Sequence, residues 1–271
     1  MSNDLHNDLR SDLRDDLRGD LLVEVRDRVM WLTINRPERR NAINANVLNG
    51  IRESLERANR EEGMRAVVLT GAGDRAFCSG ADLQEPSFRF DYSQPYQWLA
   101  DLLRQARRST VPLIARVNGA CLAGGMGLLA MCDLAVASQE AVFGLPEVKV
   151  GVFPAQVLSV LQHQVPRRLL TEMCITGEPL DARQALACGL VNHLAEGDLD
   201  AKLNWLLGRL LDKSPSAIRR GLYTLKQIEA MPFEASMAFT ESQIGLFALT
   251  EDFQEGLSSF LQKRKPNWTG R

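Results

Sequence analysis

Apolar residues recur along most of this chain with two different periods, and the order of those periods predicts an α/β fold. Alternating or short continuous apolar runs are typical of strands, whereas apolar spacings of three and four residues indicate helices. Both patterns alternate up to about residue 198, after which the chain is mostly helical. We therefore predict an α/β core over 21–198 and a helical region over 199–271. The predicted strands are 22–25, 29–34, 66–70, 111–117 and 133–137, and the predicted helices among them are 41–60 and 94–109.

The first twenty residues follow a different pattern, a four-residue repeat with a leucine in every unit over 3–22. Leucines at this spacing would form one stripe along a helix. The repeat also places aspartates four residues apart, and like charges at that spacing oppose an isolated helix. We predict that residues 1–20 form a mobile, low-complexity tail, and we assign it no chemistry.

Composition excludes several classes of protein. Hydrophobic residues make up 45% of the chain, which is ordinary for a globular protein, and 32 basic residues against 34 acidic ones give a net charge of -2. Proteins that bind nucleic acids or anionic membrane surfaces carry an excess of basic residues, and this chain has no such excess. No apolar run is long enough to cross a bilayer, and the N-terminus lacks a secretory signal, so we predict a cytoplasmic protein. Five cysteines without C-x-x-C spacing and three scattered histidines predict neither disulfides nor a metal site.

One possible nucleotide-binding motif and two possible nucleophiles are rejected because of their sequence surroundings. Residues 71–76 follow a strand and match a glycine-rich nucleotide fingerprint, but residues 77–80 are a poor helix start, so we predict only a tight turn. Ser79 lacks the G-x-S-x-G context of a hydrolase nucleophile. Nothing near Cys78 in the sequence would lower its pKa, so Cys78 is not predicted to be a nucleophile either.

Two glycine-bearing bends, 76–83 and 118–127, each follow a predicted buried strand. Glycine permits close backbone approach, and a helix start leaves amide N–H groups free. Two such amides that converge on one oxygen would form an oxyanion hole. Composition alone does not establish that convergence.

At these bends the chain resembles the crotonase superfamily, the family of enoyl-CoA hydratases and isomerases. The resemblance covers about residues 20–265, and its motifs occur in the family's order. It implies a spiral of repeated β-β-α units, with a C-terminal helical region that mediates trimers and often hexamers. The motifs are N-R-P-x-x-x-N-A (35–42), A-F-C-S-G-A-D-L (76–83), A-G-G-M-G-L-L-A-M-C-D (123–133) and F-G-L-P-E-V-K-V-G (143–151).

The resemblance also implies roles for individual residues. The oxyanion-hole amides fall on Ala81 and Gly124, which would hold the thioester carbonyl oxygen of an acyl-CoA substrate. Coenzyme A arrives as part of that substrate, so no separate cofactor and no metal are implied. The implied CoA-binding residues are Ser79, Gly80, Asp82, Phe260 and Lys263. For Lys263, the competing interpretation is an ordinary surface lysine.

The reaction depends on carboxylates, and here the chain departs from the family. Typical hydratases use two glutamates; the second is present as Glu147, whose apolar neighbours predict a raised pKa, but the first position holds Gly127. Glu147 alone, Asp82 or Glu85 are the candidates to orient the water instead, and a structural role is the competing interpretation of Asp82. A further departure is 154–158, where the family often has P-G-A-G-G.

Three readings of this departure stay open. The first is enoyl-CoA hydration, which we favour narrowly. The second is a Δ3-to-Δ2 enoyl-CoA isomerase with Glu147 as the single base. The third belongs to another class of protein: a non-catalytic CoA-binding or scaffold protein. Thioester hydrolysis and decarboxylation on the same fold also stay open. Four apolar residues, Phe153, Pro154, Val157 and Leu158, fit a branched or isoprenoid acyl chain. The family resemblance also implies that a glutaconyl-type chain is a possible substrate, so the pathway is fatty-acid, branched-chain or terpenoid catabolism.

Overall fold

The computed structural model describes residues 19–84 and 97–271. The predicted tail up to residue 18, the candidate Glu85 and the first residues of the predicted helix 94–109 lie outside the described residues. Asp20, the last residue of the predicted tail, is held in the fold. Its carboxylate accepts hydrogen bonds from the side-chain amides of Asn44 (2.7 Å) and Asn46 (2.9 Å).

A six-stranded sheet forms the centre of the described chain, with strand order β1-β2-β3-β5-β7-β10. β1 and β2 form an antiparallel hairpin, and every later neighbour in this sheet is parallel. The apolar runs predicted as buried strands are therefore correct, because a parallel sheet is covered on both faces. The strands are β1 (Leu21–Arg26), β2 (Val29–Ile34), β3 (Ala66–Gly71), β5 (Leu113–Val117), β7 (Leu134–Ser138) and β10 (His193–Ala195).

A second, four-stranded sheet has the order β4-β6-β8-β9, and sequence patterning missed it. Its members have two or three residues each, too few for an alternating pattern to be recognised. β4, β6 and β8 are parallel to one another, and β9 is antiparallel to β8. The strands are β4 (Ala76–Cys78), β6 (Ala120–Leu122), β8 (Val142–Gly144) and β9 (Leu180–Asp181).

Strands of the two sheets alternate along the chain. Each of β3, β5 and β7 is followed at once by β4, β6 or β8, and then by a helix, so the β-β-α repeat is confirmed. The first helix begins after Asn44, whose side chain caps it by accepting from the Val47 amide at 2.9 Å. The helices of this part are α1 (Ala45–Arg60), α2 (Trp98–Arg108), α3 (Gly124–Ala130), α4 (Leu158–Leu161), α5 (Arg167–Thr176) and α6 (Ala182–Ala187).

The last four helices differ in how much apolar surface they bury. The first of them packs four leucines against the outer face of the large sheet, beside Val68 and Ile114. The other three expose many large apolar side chains, among them Phe233, Ile244 and Phe260. None of the helices among residues 19–84 and 97–271 is long and apolar enough to cross a membrane. The four are α7 (Leu199–Leu211), α8 (Pro215–Ile228), α9 (Phe233–Ala248) and α10 (Glu251–Leu261).

Candidate functional site

Three loops of the candidate site leave the small sheet at the same edge. Ala81 follows β4, Gly124 follows β6 and Glu147 follows β8, and these three strands are parallel neighbours in that order. The carboxyl ends of parallel strands lie at one edge, so the fold brings the three loops together. A hydrogen bond from the Ala123 amide to the Gly144 carbonyl (2.9 Å) joins the second loop to the third.

The Ala81 amide points away from the segment that holds its loop. Ala81 forms a parallel bridge with Ile43, in which Ile43 donates to the Gly80 carbonyl (2.7 Å) and Asp82 donates to the Ile43 carbonyl (2.8 Å). In this bridge the N–H of Ala81 itself is not used. Within the described ranges it has no acceptor, so it is free to bind a ligand oxygen.

Gly124 supplies the second amide, as the first residue of α3. Its N–H has no partner four residues back in the helix. A Cβ built on Gly124 would lie 3.7 Å from the Ala81 nitrogen, and one built on Gly80 (φ +103°) would lie 3.4 Å from the Gly124 nitrogen. The two amides are therefore close neighbours, and the glycines keep the space beside them open, as an oxyanion hole requires.

A buried polar network underlies the first amide, and its centre, Arg36, was missed in the sequence. Arg36 donates to the Asp82 carboxylate (2.8 Å) and to the Ala42 carbonyl (2.7 Å). Asn41 accepts from the Arg36 amide (3.1 Å) and donates to the Ala76 carbonyl (2.7 Å). Arg36 and Asn41 both lie in the N-R-P-x-x-x-N-A motif, which was the available signal.

Asp82 is a structural member of this network. One carboxylate oxygen accepts from Arg36, and the other accepts from the Gln84 amide at 3.1 Å. Burial opposes ionisation of Asp82, but these two hydrogen bonds and the Arg36 charge outweigh it, so the pKa of Asp82 is lowered. Both oxygens are occupied, which does not favour the predicted contacts of Asp82 with CoA or water.

Two other predicted residues of this loop also have structural contacts. The Ser79 amide donates to the Arg40 carbonyl at 3.1 Å, and its hydroxyl lies 3.4 Å from the Arg39 carbonyl. Cys78 is fully buried, and burial raises the pKa of its thiol to about 12, which agrees with its rejection as a nucleophile. Gly71 is followed by a turn and β4 rather than by a helix, which agrees with the rejection of a nucleotide fingerprint.

Glu147 lies in a 3₁₀ turn, Pro146–Val150, directly after β8. The side chain is half-buried, and its Oε2 atom is fully buried without a hydrogen-bond partner in the part of the chain that the structure describes. Burial raises the pKa of Glu147, only partly offset by a hydrogen bond from its own backbone amide. A carboxylate with one oxygen left without a hydrogen bond and with a raised pKa is suited to proton transfer near neutral pH.

The position of the missing glutamate is filled by apolar side chains. Gly127 lies one helical turn after Gly124 in α3. A Cβ built on Gly127 would lie 2.8 Å from Val157 Cγ1 and 3.8 Å from Leu99 Cδ2. No second carboxylate can stand at residue 127 without displacing Val157.

Phe260 and Lys263 belong to the C-terminal helices rather than to these loops. Phe260 is 80% exposed near the end of α10, and Lys263 follows that helix. α10 packs on α8 and α9. Among the described residues of one chain, neither side chain has a hydrogen bond or ion pair with the loops of Ala81, Gly124 or Glu147, so their contact with CoA stays a prediction.

In the described residues, a spiral of β-β-α units has two amides without acceptors and one carboxylate oxygen without a donor at a shared edge, and this defines a crotonase-type α/β protein. Comparison with known proteins agrees, since the family model "Enoyl-CoA hydratase/isomerase" matches residues 24–271. The chain belongs to this family.

Relatives and solved structures match over nearly the whole chain. The 2,3-dehydroadipyl-CoA hydratase of Escherichia coli K12 is 35% identical over 93% of this chain and 99% of its own length. Mouse enoyl-CoA hydratase domain-containing protein 3 is 32% identical, over 90% of this chain and 82% of its own. The crystal structure of a Mycobacterium smegmatis enoyl-CoA hydratase matches with a TM-score of 0.88 and 32% identity, over 93% of this chain and 99% of that one.

Proposed function

We propose that this protein hydrates an enoyl-CoA thioester, with Glu147 as the acid and base and with the amides of Ala81 and Gly124 as the oxyanion hole. The observation that carries the proposal is the buried Oε2 of Glu147, which has no hydrogen-bond partner over 19–84 and 97–271 and lies at the sheet edge where the Ala81 and Gly124 amides also lie. A single carboxylate in this position has both the raised pKa and the exposure needed for proton transfer.

In the proposed reaction the two amides donate to the thioester carbonyl oxygen and stabilise the enolate that forms on it. Glu147 takes a proton from water as the water oxygen bonds to C3. The same carboxyl then delivers its proton to C2, so that the double bond is replaced by one H and one OH. Each amide contributes about 3–4 kcal/mol of transition-state stabilisation in comparable oxyanion holes.

A second candidate is isomerisation of a 3-enoyl-CoA to a 2-enoyl-CoA. The contact between Gly127 and Val157 favours it, because one carboxylate is sufficient for a proton shift, whereas water is easier to hold between two. In that reaction Glu147 removes a proton from C2 and returns it at C4 while the double bond moves. The oxyanion hole serves both reactions, since both pass through an enolate.

For the acyl group we propose a chain that lies against Val157 and Leu99. Both lie within 4 Å of a Cβ built on Gly127, and Leu99 is only partly buried. Phe153, by contrast, is 52% exposed, which does not favour its predicted place in the pocket of a single chain. Branched and glutaconyl-type chains stay within this proposal, and the relative named for 2,3-dehydroadipyl-CoA adds a straight chain with a terminal carboxylate to the substrates worth testing.

We also propose that the protein assembles as a trimer or a hexamer. Helices α8 to α10 expose apolar side chains that a partner subunit would cover, including Leu225, Phe233, Ile244 and Leu249. Phe260 and Lys263 would then contact CoA from the same or a neighbouring subunit. Light scattering coupled to size exclusion tests the assembly, and a monomer at micromolar concentration would contradict it.

Labelled water tests the proposed reaction. Purified protein is incubated with paired 2-enoyl-CoA and 3-enoyl-CoA substrates, straight and 3-branched, in H₂¹⁸O, with Glu147→Gln alongside. We expect ¹⁸O in a 3-hydroxyacyl-CoA product, and its loss in the variant. Double-bond migration without ¹⁸O would establish the isomerase. No reaction on any substrate would contradict both and favour the non-catalytic alternative.

A further inference from the structure

Two departures from the family pattern, Gly127 and Val157, are in direct contact. A Cβ on residue 127 would lie 2.8 Å from Val157 Cγ1 and 3.7 Å from Val157 Cβ. Carbon atoms in contact are about 3.5–4.0 Å apart, so the first distance is a steric overlap. Even an alanine at 127 would force Val157 to move, and a glutamate would need the whole of its space.

The neighbours of this contact are apolar on the side where the missing glutamate would stand. Val157 is 4% exposed and immediately precedes α4, and Leu99 of α2 lies 3.8 Å from the same built Cβ. Leu128 and Leu161, in the helices that carry or follow the pair, are fully buried. Val157 is therefore held in a packed core rather than in a mobile loop.

The chemical consequence is that this side of the candidate site is apolar. A valine neither accepts a proton nor orients a water molecule, whereas a carboxylate at 127 would do both. On this basis, and resting on the proposed acyl-CoA activity, we propose that Gly127 and Val157 form one specificity determinant. Val157 occupies the space of a side chain at 127, and together the pair keeps a second carboxylate out of this side of the site and leaves Glu147 as the proton-transferring carboxylate.

If the pair is one determinant, its two positions must be changed together. Gly127→Glu alone places a charged side chain into an occupied apolar space, which combines overpacking with an unpaired charge. Val157→Gly alone opens a void beside Gly127. The double variant provides a second carboxylate and the space for it.

A double-mutant cycle tests this directly, with the wild type, Gly127→Glu, Val157→Gly and the double variant. The readouts are the Tm and the rate at which ¹⁸O from water appears in the 3-hydroxyacyl-CoA formed from crotonyl-CoA. We expect Gly127→Glu to lower the Tm by about 4–8 °C and the hydration rate about 100-fold. The double variant should recover at least half of the Tm loss and at least about tenfold of the rate relative to Gly127→Glu.

Val160→Gly is the matched control, because Val160 lies one turn further along and is partly buried against the same core. Combined with Gly127→Glu it should rescue neither the Tm nor the rate. The proposal that residues 127 and 157 form one determinant would be overturned by either of two results. One is a Tm loss in the double variant equal to the sum of the losses in Gly127→Glu and Val157→Gly. The other is an equal rescue of Gly127→Glu by Val160→Gly, and neither result depends on a loss of hydration by the wild type. Inactivity of the wild type on every enoyl-CoA would instead overturn the proposed function, and the Tm cycle would still decide whether Val157 occupies the space of residue 127.

Discussion

The loop that carries Ala81 and the turn that carries Glu147 leave the same sheet at the same edge, but their surroundings are different. Behind Ala81, a buried arginine, aspartate and asparagine satisfy one another and the backbone around them. Around Glu147, one carboxylate oxygen is buried without any partner in the described residues. Beside Gly127, a valine fills the place of a second carboxylate.

In the proposed reaction the two halves contribute in different ways. Oxyanion donors are useful when they are fixed before charge develops, and a satisfied polar network holds the Ala81 backbone in that way. A general base is useful when its pKa is close to the working pH, which requires poor solvation and few partners. One half of the site is therefore stabilised, and the other half gives up stability for reactivity.

Removing the base should have the largest effect. Glu147→Gln keeps the shape of the side chain but cannot take a proton, so we expect kcat to fall about 10³-fold. Steady-state kinetics measures this on whichever enoyl-CoA the wild type converts. Glu140→Gln, at an exposed turn residue, is the control and should behave as wild type. Retention of more than a tenth of the activity by Glu147→Gln would mean that another group carries the proton.

Crowding the oxyanion hole should have the next largest effect. In Gly124→Ala the added methyl lies 3.7 Å from the Ala81 nitrogen and 3.1 Å from Ile43 Cδ1. The methyl therefore crowds the space beside the two amides, where we expect the carbonyl oxygen of the substrate to bind. We expect kcat/KM to fall about 100-fold with little change in Tm. Gly208→Ala is the matched control, because a Cβ there meets nothing within 4 Å. Equal activities of the two variants would contradict the placement of the hole.

Breaking the network behind Ala81 should affect stability more than chemistry. Asp82→Asn removes the charge that pairs with buried Arg36, and we expect a loss of about 2 kcal/mol at pH 7. The folded pKa of Asp82 is lowered, so its stabilising contribution is present at neutral pH and disappears as the pH falls through that lowered pKa. Urea unfolding at pH 7 and pH 3 should therefore show a difference between the two proteins that shrinks in acid. A constant difference would show that packing, not charge, is responsible.

The smallest expected effect is the change in thermal stability caused by Glu147→Gln. The folded pKa of Glu147 is raised, so its protonated form fits the fold, and ionisation costs stability as the pH rises through that pKa. Glu147→Gln avoids this cost and should raise the Tm by about 1–2 °C at pH 7. Below about pH 4, where glutamate is protonated in the unfolded chain, the Tm values should converge. A lower Tm of Glu147→Gln at pH 7 would show that the ionised carboxylate is stabilised by more than the hydrogen bond from its own backbone amide.

Sequence patterning predicted the large sheet but not the small one that positions the site. Continuous apolar runs such as 66–70 identify a buried strand without any knowledge of its neighbours. Strand β6 has three residues, and its role depends on pairing with β4 and β8, which no local pattern records. The family resemblance, rather than periodicity, was what identified the loops of the site.

Contacts between residues far apart in the sequence limited how much of the candidate site could be predicted. Arg36 and Asp82 are 46 residues apart, so the sequence contained both motifs but not the ion pair between them. Gly127 and Val157 were noted as two separate departures, because only the folded chain places one against the other. The raised pKa predicted for Glu147 from its apolar neighbours agrees with its burial, since that prediction depended on local surroundings.

The central claim is that Glu147 alone transfers the proton while Ala81 and Gly124 hold the carbonyl oxygen. In the proposed hydration of a 2-enoyl-CoA, Glu147 takes the proton that it delivers to C2 from water. The most direct test is therefore deuterium incorporation at C2 of the hydrated product in D₂O, followed by mass spectrometry. We predict one deuterium at C2 with the wild type, the same label formed more slowly with Gly124→Ala, and none with Glu147→Gln. Deuterium at C2 with Glu147→Gln at more than a tenth of the wild-type rate would contradict the claim.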